Sequence, residues 1–209
     1  MPLETERKYL DVEFADLRMR LSAHGAVCEG THFEENFLFD ASSHSLAHKG
    51  CVFRLRVQEC RENTQCRLTF KSAAEDSADY KIREELETKV GDGAAMYGIL
   101  RKLGYSVVAR YEKIREVWRM GSVEVSLDTV PFAEIVELEG QAGDILAAEQ
   151  CLHLDKAEIS TKSYHELHQA WLVQHNRPQQ LSFVFSEQQR SFWRKKLDLP
   201  EKALCLHGF

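Results

Sequence analysis

Val123-Glu124-Val125-Ser126-Leu127-Asp128 alternates apolar and polar residues without a break. Side chains two apart on a β-strand point the same way, so Val123, Val125 and Leu127 share one face and Glu124, Ser126 and Asp128 the other. The polar face is mostly formal charge, and the same feature recurs along the chain. In 133–139, Glu137 and Glu139 oppose Val136 and Leu138. In 106–119, Lys113 and Arg115 oppose Ile114. In 79–89, Lys81, Arg83, Glu85 and Glu87 oppose Ile82 and Leu86. In 64–72, Arg67, Thr69 and Lys71 oppose Leu68 and Phe70; in 51–59, Arg54 and Arg56 oppose Phe53, Leu55 and Val57. In 3–10, Glu4, Glu6 and Lys8 share a face. With 31–40, these segments predict eight strands.

A single charged face is adequately explained as the solvated side of an open sheet. Seven such faces, sorted by sign, are not. Three strands (51–59, 64–72, 106–119) offer mainly cations, two (122–129, 133–139) mainly anions, and two (3–10, 79–89) both. Eight antiparallel strands can close into a small barrel. The expected fold is therefore α+β: a closed eight-stranded antiparallel β-barrel whose charged faces line a tunnel and whose apolar faces lie outward under helices. Apolar spacing and caps predict helices over 13–24, 93–103 (capped by Asp92), 143–153 (capped by Gly143 or Asp144), 161–174 (capped by Ser160) and 186–197. Domain boundaries follow: a barrel domain over 1–174 and a helical extension over 175–209. There Leu181, Phe183, Phe185, Phe192 and Trp193 are expected to pack on the barrel, with cover of a tunnel mouth or a contact between two copies as the alternatives. Arg190, Arg194, Lys195 and Lys196 read as a solvated helix face.

Charges in a narrow lumen are costly unless paired or matched by a ligand. Adjacent carboxylates such as Glu4/Glu6 and Glu137/Glu139 favour a divalent cation between them. Clustered Arg and Lys favour a polyanion, because Arg forks match phosphate oxygens and Lys adds a compact charge. A metal-bound chain of phosphates meets both demands.

Composition narrows the rest. The 209 residues are 44% apolar and 10% aromatic, which excludes a disordered chain. A net charge of −6 argues against a nucleic-acid partner. The early charges (Glu4, Glu6, Arg7, Lys8) read against a secretory leader, and no apolar run is long enough for a membrane helix. The six cysteines (28, 51, 60, 66, 151, 205) are scattered without Cys-x-x-Cys spacing, as expected of reduced thiols in a cytoplasmic protein. His165/His168 and His44/His48 read as solvated surface rather than metal ligands.

Glu4-x-Glu6-x-Lys8 is followed in order by Phe53-Arg54-Leu55-Arg56, Leu68-Thr69-Phe70-Lys71, Arg83-Glu84-Glu85-Leu86-Glu87, Glu112-Lys113-Ile114-Arg115, Leu127-Asp128, Glu134-Ile135-Val136-Glu137-Leu138-Glu139 and Lys162-Ser163-Tyr164. This succession resembles the CYTH superfamily, or triphosphate tunnel metalloenzymes, over about residues 2–170. The resemblance implies a tunnel enzyme holding a small-molecule triphosphate with Mg²⁺ or Mn²⁺. It places Glu4, Glu6, Glu137 and Glu139 near the metal, and more loosely Glu85, Glu87 and Asp128, which could instead hold the bases in place. Lys8, Arg54, Arg56, Lys71, Arg83, Lys113 and Arg115 would bind phosphate, with Lys162 reaching in from the helix after the barrel. Lys8, Glu6 and Lys71 would be catalytic. The chain keeps Phe39-Asp40 of the family but lacks the cyclase branch's His-Phe-Asp. Trp118 alternates to the outside and reads as a packing residue. Three activities follow: a metal-dependent triphosphate hydrolase, with inorganic tripolyphosphate the simplest substrate; a class IV-type adenylyl cyclase; or a non-catalytic polyphosphate-binding module.

Overall fold

A computed structural model describes residues 3–75 and 79–199. Its strands are β1 (Leu3–Leu10), β2 (Val27–Ala41), β3 (Val52–Glu59), β4 (Thr64–Lys71), β5 (Lys81–Val90), β6 (Tyr105–Met120), β7 (Val123–Val130), β8 (Ala133–Glu139) and the short β9 (Glu158–Ser160). The helices are α1 (Phe14–Ala23), α2 (Ser45–His48), α3 (Gly93–Lys102), α4 (Ala142–Cys151), α5 (Tyr164–Gln174) and α6 (Glu187–Lys196). All neighbours pair antiparallel in the order β5-β4-β3-β2-β6-β7-β8-β1, and β1 returns to β5 to close an eight-stranded barrel. The closing seam is short, from Leu3↔Glu84 to Glu6↔Lys81. The edge of β1 that β5 leaves free, Lys8 to Leu10, is taken by β9. That three-residue strand is too short for periodicity to reveal.

The expected polarity holds. The apolar strand faces point outward under the helices. Phe14, Leu17 and Leu21 of α1 and Ile145 of α4 bury against Tyr9, Val125, Leu127, Val136 and Leu138. Each fully buried side chain of this size contributes about 1.5–3 kcal/mol. Trp118 packs in the same cluster, as its outward alternation predicts. Under α3, Leu100 meets Phe37, Phe39, Leu55 and Val57. β2 is longer than its predicted span and bends at a bulge between Cys28 and Gly30, where φ of +133° favours glycine. No described helix is long and apolar enough to cross a membrane. Cys28, Cys51, Cys60, Cys66 and Cys151 are free thiols; Cys205 lies outside the described residues, as do residues 200–209 of the extension.

Several local expectations are corrected. Ser163, not Ser160, caps α5 in a reciprocal capping box with Glu166, because β9 keeps residues 158–160 extended. Gln141 stands at the N-cap of α4, while Asp144 accepts a hydrogen bond from Ser122 Oγ. His165 and His168 are not solvated surface. They pack among Tyr111, Phe132, Trp171 and Phe183, with His168 only 3% exposed.

The extension packs on the barrel. β7 covers β6 only from Ile114 onward, which leaves an open edge on the preceding residues. Phe183 fills it: its N–H donates to Arg110 O and its carbonyl accepts from Glu112 N–H, both at 3.0 Å. Phe183 and Phe185 are buried, whereas Leu181 and Phe192 remain exposed. Helix α6 is then held by charge. Arg190 pairs with the buried Glu112 at 2.8 Å and Arg194 with the buried Glu59 at 3.0 Å. Two of the four bases read as a solvated face are thus docking contacts.

Phe183→Ala should lower the unfolding free energy by about 3–5 kcal/mol, and Phe192→Ala by less than about 0.5 kcal/mol, in urea denaturation. A second expectation concerns acid. Burial, then His168 and Lys81, push the His165 imidazole down to about 4. An unfolded histidine takes up its proton near 6.5, so this contribution is complete above pH 6.5 and declines as pH falls toward 4. His165→Phe should flatten the acid limb of stability against pH over that window.

Candidate active site

The barrel encloses a cavity of about 1120 Å³. From β1 it receives Glu4, Glu6 and Lys8; from β3, Arg54 and Arg56; from β4, Lys71; from β5, Glu85 and Glu87; from β6, Lys113 and Arg115; from β8, Glu137 and Glu139. The period-two alternation of each strand puts them there, and closure through β1 and β5 turns the separate rows toward one another.

Buried charge is compensated pair by pair. Lys71 Nζ donates to both Glu4 oxygens at 2.7 Å and lies 2.9 Å from Glu85; Arg83 Nε approaches Glu4 at 3.2 Å. Burial would raise the Glu4 carboxyl, yet Lys71 and Arg83 hold it at about 2. Lys8 Nζ sits between Glu6 (2.6 Å) and Glu137 (3.0 Å). Burial opposes its charge, but those two carboxylates raise its pKa and keep it an ammonium. On the opposite wall, Arg56 meets Glu34 at 3.2 Å and its Nε donates to Asn36 Oδ1 at 2.8 Å. Lys113 lies between Asp128 (3.1 Å) and Glu34 (3.6 Å). Arg115 donates to both Asp128 oxygens, at 2.8 and 2.6 Å, and to Glu137 at 3.0 Å.

The geometry places five more of the predicted residues. Asp128 is fully enclosed behind the lumen wall and accepts from Lys113, Arg115 and Tyr164, so it holds the bases in place, one of its two expected roles. Glu87 accepts from Arg67 and Thr69, and Glu85 shares Lys71 with Glu4. Lys162 does not reach in. It precedes the helix and is exposed, while Ser163, Tyr164 and His165 line the cavity. Arg83 stands on the tunnel face of β5 but is directed to Glu4.

A divalent cation in the tunnel would need several of these carboxylates at once. Among the described residues, no three His, Cys, Asp or Glu side chains form a ready-made cage. One carboxylate is nevertheless out of balance. Glu139 stands across from Glu6 and has no cation at ion-pair distance among the described residues. Burial, then Glu4, Glu137 and Glu124, push it up to about 8. A hard cation relieves that repulsion, and Mg²⁺ accepts a few carboxylates while keeping several waters. Glu139, with Glu4, Glu6 and Glu137 around it, therefore offers such an ion a carboxylate set, in which Glu4, Glu6 and Glu137 are shared with Lys71, Lys8 and Arg115.

Further lumen groups escaped the sequence reading. Glu34 is completely buried and accepts from Gln58, with His32 at 2.9 Å, besides its pairs with Arg56 and Lys113. The alternation His32-x-Glu34-x-Asn36 against Phe33 and Phe37 was the available signal. Tyr111 lies two residues before Lys113 and shares its face. Tyr164 enters from a helix, and no strand periodicity predicts that.

The family model described as the CYTH domain matches residues 2–175. A protein of Methanocaldococcus jannaschii, provisionally named an adenylate cyclase, is 30% identical over 146 residues, which is 65% of this chain and 81% of that protein. An X-ray structure from Vibrio parahaemolyticus, also provisionally named an adenylate cyclase, matches with a TM-score of 0.69 at 19% identity, covering 79% of this chain and 97% of that one. A Hippeastrum protein, provisionally named an adenylyl cyclase and described as having a dominant triphosphatase activity, matches with a TM-score of 0.59 at 17% identity, covering 87% and 99%. At these identities the two structures speak for the fold alone.

Asp128→Asn leaves two buried cations short of their shared acceptor. It should lower the unfolding free energy by about 3–5 kcal/mol in urea denaturation, the scale for breaking a buried pair on one side.

Proposed function

The chain belongs to the CYTH family, and on that premise we propose that it is a divalent-metal-dependent phosphohydrolase that cleaves a phosphoanhydride bond of a triphosphate held in the tunnel. The observation that carries this reading is the division of the lumen. A cationic wall, Arg54, Arg56, Lys113 and Arg115, faces a carboxylate group, Glu4, Glu6, Glu137 and Glu139, in one cavity. An anion binder needs only the first; the unbalanced Glu139 makes sense beside a cation.

The bases are prepared for oxygen ligands before any arrive. Asp128 and Glu34 hold Arg115, Lys113 and Arg56 from behind, so little side-chain freedom is lost on binding. The Arg forks would bind phosphate oxygens in pairs and stabilise charge gathering on them as the bridging bond breaks. Lys8 acts as fixed charge rather than as a base, since Glu6 and Glu137 keep it protonated. Lys71, between Glu4 and Glu85, would bridge the phosphate and metal sides. A divalent ion bound by Glu4, Glu6, Glu137 and Glu139 would supply charge neutralisation and an activated water.

Inorganic tripolyphosphate is the simplest substrate, because the tunnel-facing rings are already engaged: Tyr164 with Asp128 and Glu137, Tyr111 with Arg54. The provisional name of the M. jannaschii relative favours a second reading, an adenylyl cyclase that forms cyclic AMP and pyrophosphate from ATP.

Incubation with tripolyphosphate, thiamine triphosphate or ATP, with Mg²⁺ or Mn²⁺, separates these readings by phosphorus NMR. Orthophosphate release is the expected outcome. Cyclic AMP with pyrophosphate would transfer the assignment to the cyclase, and binding without products to a non-catalytic module. Glu6→Gln and Lys8→Ala should each lower turnover at least about 100-fold; near-normal rates in both would refute the assigned site.

A further inference from the structure

Three buried donors in and behind the tunnel wall have no acceptor among the described residues. Asn36 is completely buried, and its Oδ1 accepts from Arg56, which leaves Nδ2 with no partner. The Arg54 guanidinium reaches Tyr111 and Thr69 through its terminal nitrogens, and its Nε is likewise unpartnered. The Tyr111 hydroxyl accepts from Arg54 at 3.1 Å, and its own hydrogen meets no acceptor among the described residues. Asn36 and Tyr111 are direct cross-strand neighbours, and Arg54 bonds to Tyr111 from β3. A buried donor left without an acceptor is costly. Two of them, Arg54 and Tyr111, line the cationic cavity, which indicates an acceptor-rich ligand.

The tyrosine is also locked in direction. Its ring stacks on Phe183 of the extension, with centroids 5.1 Å apart, and meets the edge of His165 from α5 at 5.3 Å. The phenol therefore cannot swing out of the tunnel to find water without breaking both contacts.

We propose that Tyr111 and Arg54, backed by Asn36, form a further oxyanion subsite in the tunnel, in which the Tyr111 hydroxyl donates directly to an oxygen of a phosphate group of the ligand. This rests on the polyphosphate reading above and adds neutral donors to the charged ones. A neutral donor can bind an oxygen without competing for the carboxylates that hold the Arg and Lys side chains.

The charges around the phenol make the subsite observable. Burial would raise its pKa, but Arg54 and Arg56 from β3 and Lys113 from its own strand hold it at about 8. On the other sides, Glu34 of β2 is tied to Arg56 and Lys113, His165 of α5 is kept neutral by burial, and Phe183 carries no charge. A phosphate oxygen accepting from the hydroxyl favours the protonated phenol and screens the three cations, so both effects raise the pKa.

The test is a titration of the tyrosinate ultraviolet band, with and without inorganic tripolyphosphate, in the absence of divalent metal. The free full-length protein should show one phenol ionising near pH 8, absent in Tyr111→Phe. Saturating tripolyphosphate should move that transition up by about one pH unit or more. In calorimetry at neutral pH, Tyr111→Phe should bind tripolyphosphate about 10- to 100-fold more weakly, the scale of one hydrogen bond to a charged group. Asn36→Ala should weaken it in the same direction. Phenylalanine keeps the stack on Phe183, so thermal melts should show Tyr111→Phe folded. Equal affinity in wild type and Tyr111→Phe, or a transition unmoved by bound tripolyphosphate, overturns the subsite and leaves the polyphosphate reading standing. No binding to the wild-type protein, whether Mg²⁺ is absent or present, overturns that reading, and the subsite with it.

Discussion

A carboxylate with no exposed surface cannot remain ionised inside a β-barrel unless cations reach it. Asp128 is in that position, and Lys113 and Arg115 from the neighbouring strand reach it. The interior of this barrel is an extension of that one constraint. Each strand carries charge on its inner face, so no strand can be buried until the strand bearing its counter-charges is beside it or across from it. Glu4 needs Lys71 and Arg83, Lys8 needs Glu6 and Glu137, and Arg56 needs Glu34. Apolar burial under the helices supplies most of the stabilisation, and ionic matching restricts which closed arrangement is tolerable.

Compensation is close to complete for most lumen groups, so its failures stand out. Two kinds bear on what the tunnel holds. Glu139 is a carboxylate among carboxylates, a surplus of negative charge. Asn36 Nδ2 and Arg54 Nε are donors without acceptors. A barrel folded only for stability would gain from replacing either kind with apolar side chains. The coexistence of Glu139 and Arg54 in one cavity has a simple account if the contents complete the bonding: a cation at the first and phosphate oxygens at the second.

The closed barrel was legible because its signal repeats. Any one strand with charge on a face is ambiguous, but Lys113/Arg115, Glu137/Glu139 and Arg54/Arg56 are sorted by strand, and an open sheet gives no reason for that sorting. The inner-wall residues of regular strands could therefore be named by number. What escaped lay outside the period-two rule. β9 is too short to show a period. Tyr164 enters from a helix, displacing the role given to Lys162, because the capping box at Ser163 fixes where α5 begins. His165 and His168 look like surface histidines in one dimension and become cap residues only when Phe183 covers them. Asp128 alternates with Glu124 and Ser126, and nothing local distinguishes an acid that faces a ligand from one that stands behind two bases.

The extension illustrates the same limit and adds a coupling. The family model ends at residue 175, yet Phe183 completes the edge of β6 that β7 does not cover. It does so beside Tyr111, whose hydroxyl is inside the tunnel while its ring stacks on Phe183. Arg190 and Arg194 then fasten the following helix to Glu112 and Glu59. Glu112 is next to Tyr111 in sequence and points to the opposite side of the same strand, so one short stretch of β6 is held from outside by the extension and reads the tunnel from inside. A segment beyond the family domain is in this way part of the wall that orients a lumen hydroxyl. Loosening it would disturb the cavity through β6 rather than merely expose apolar surface.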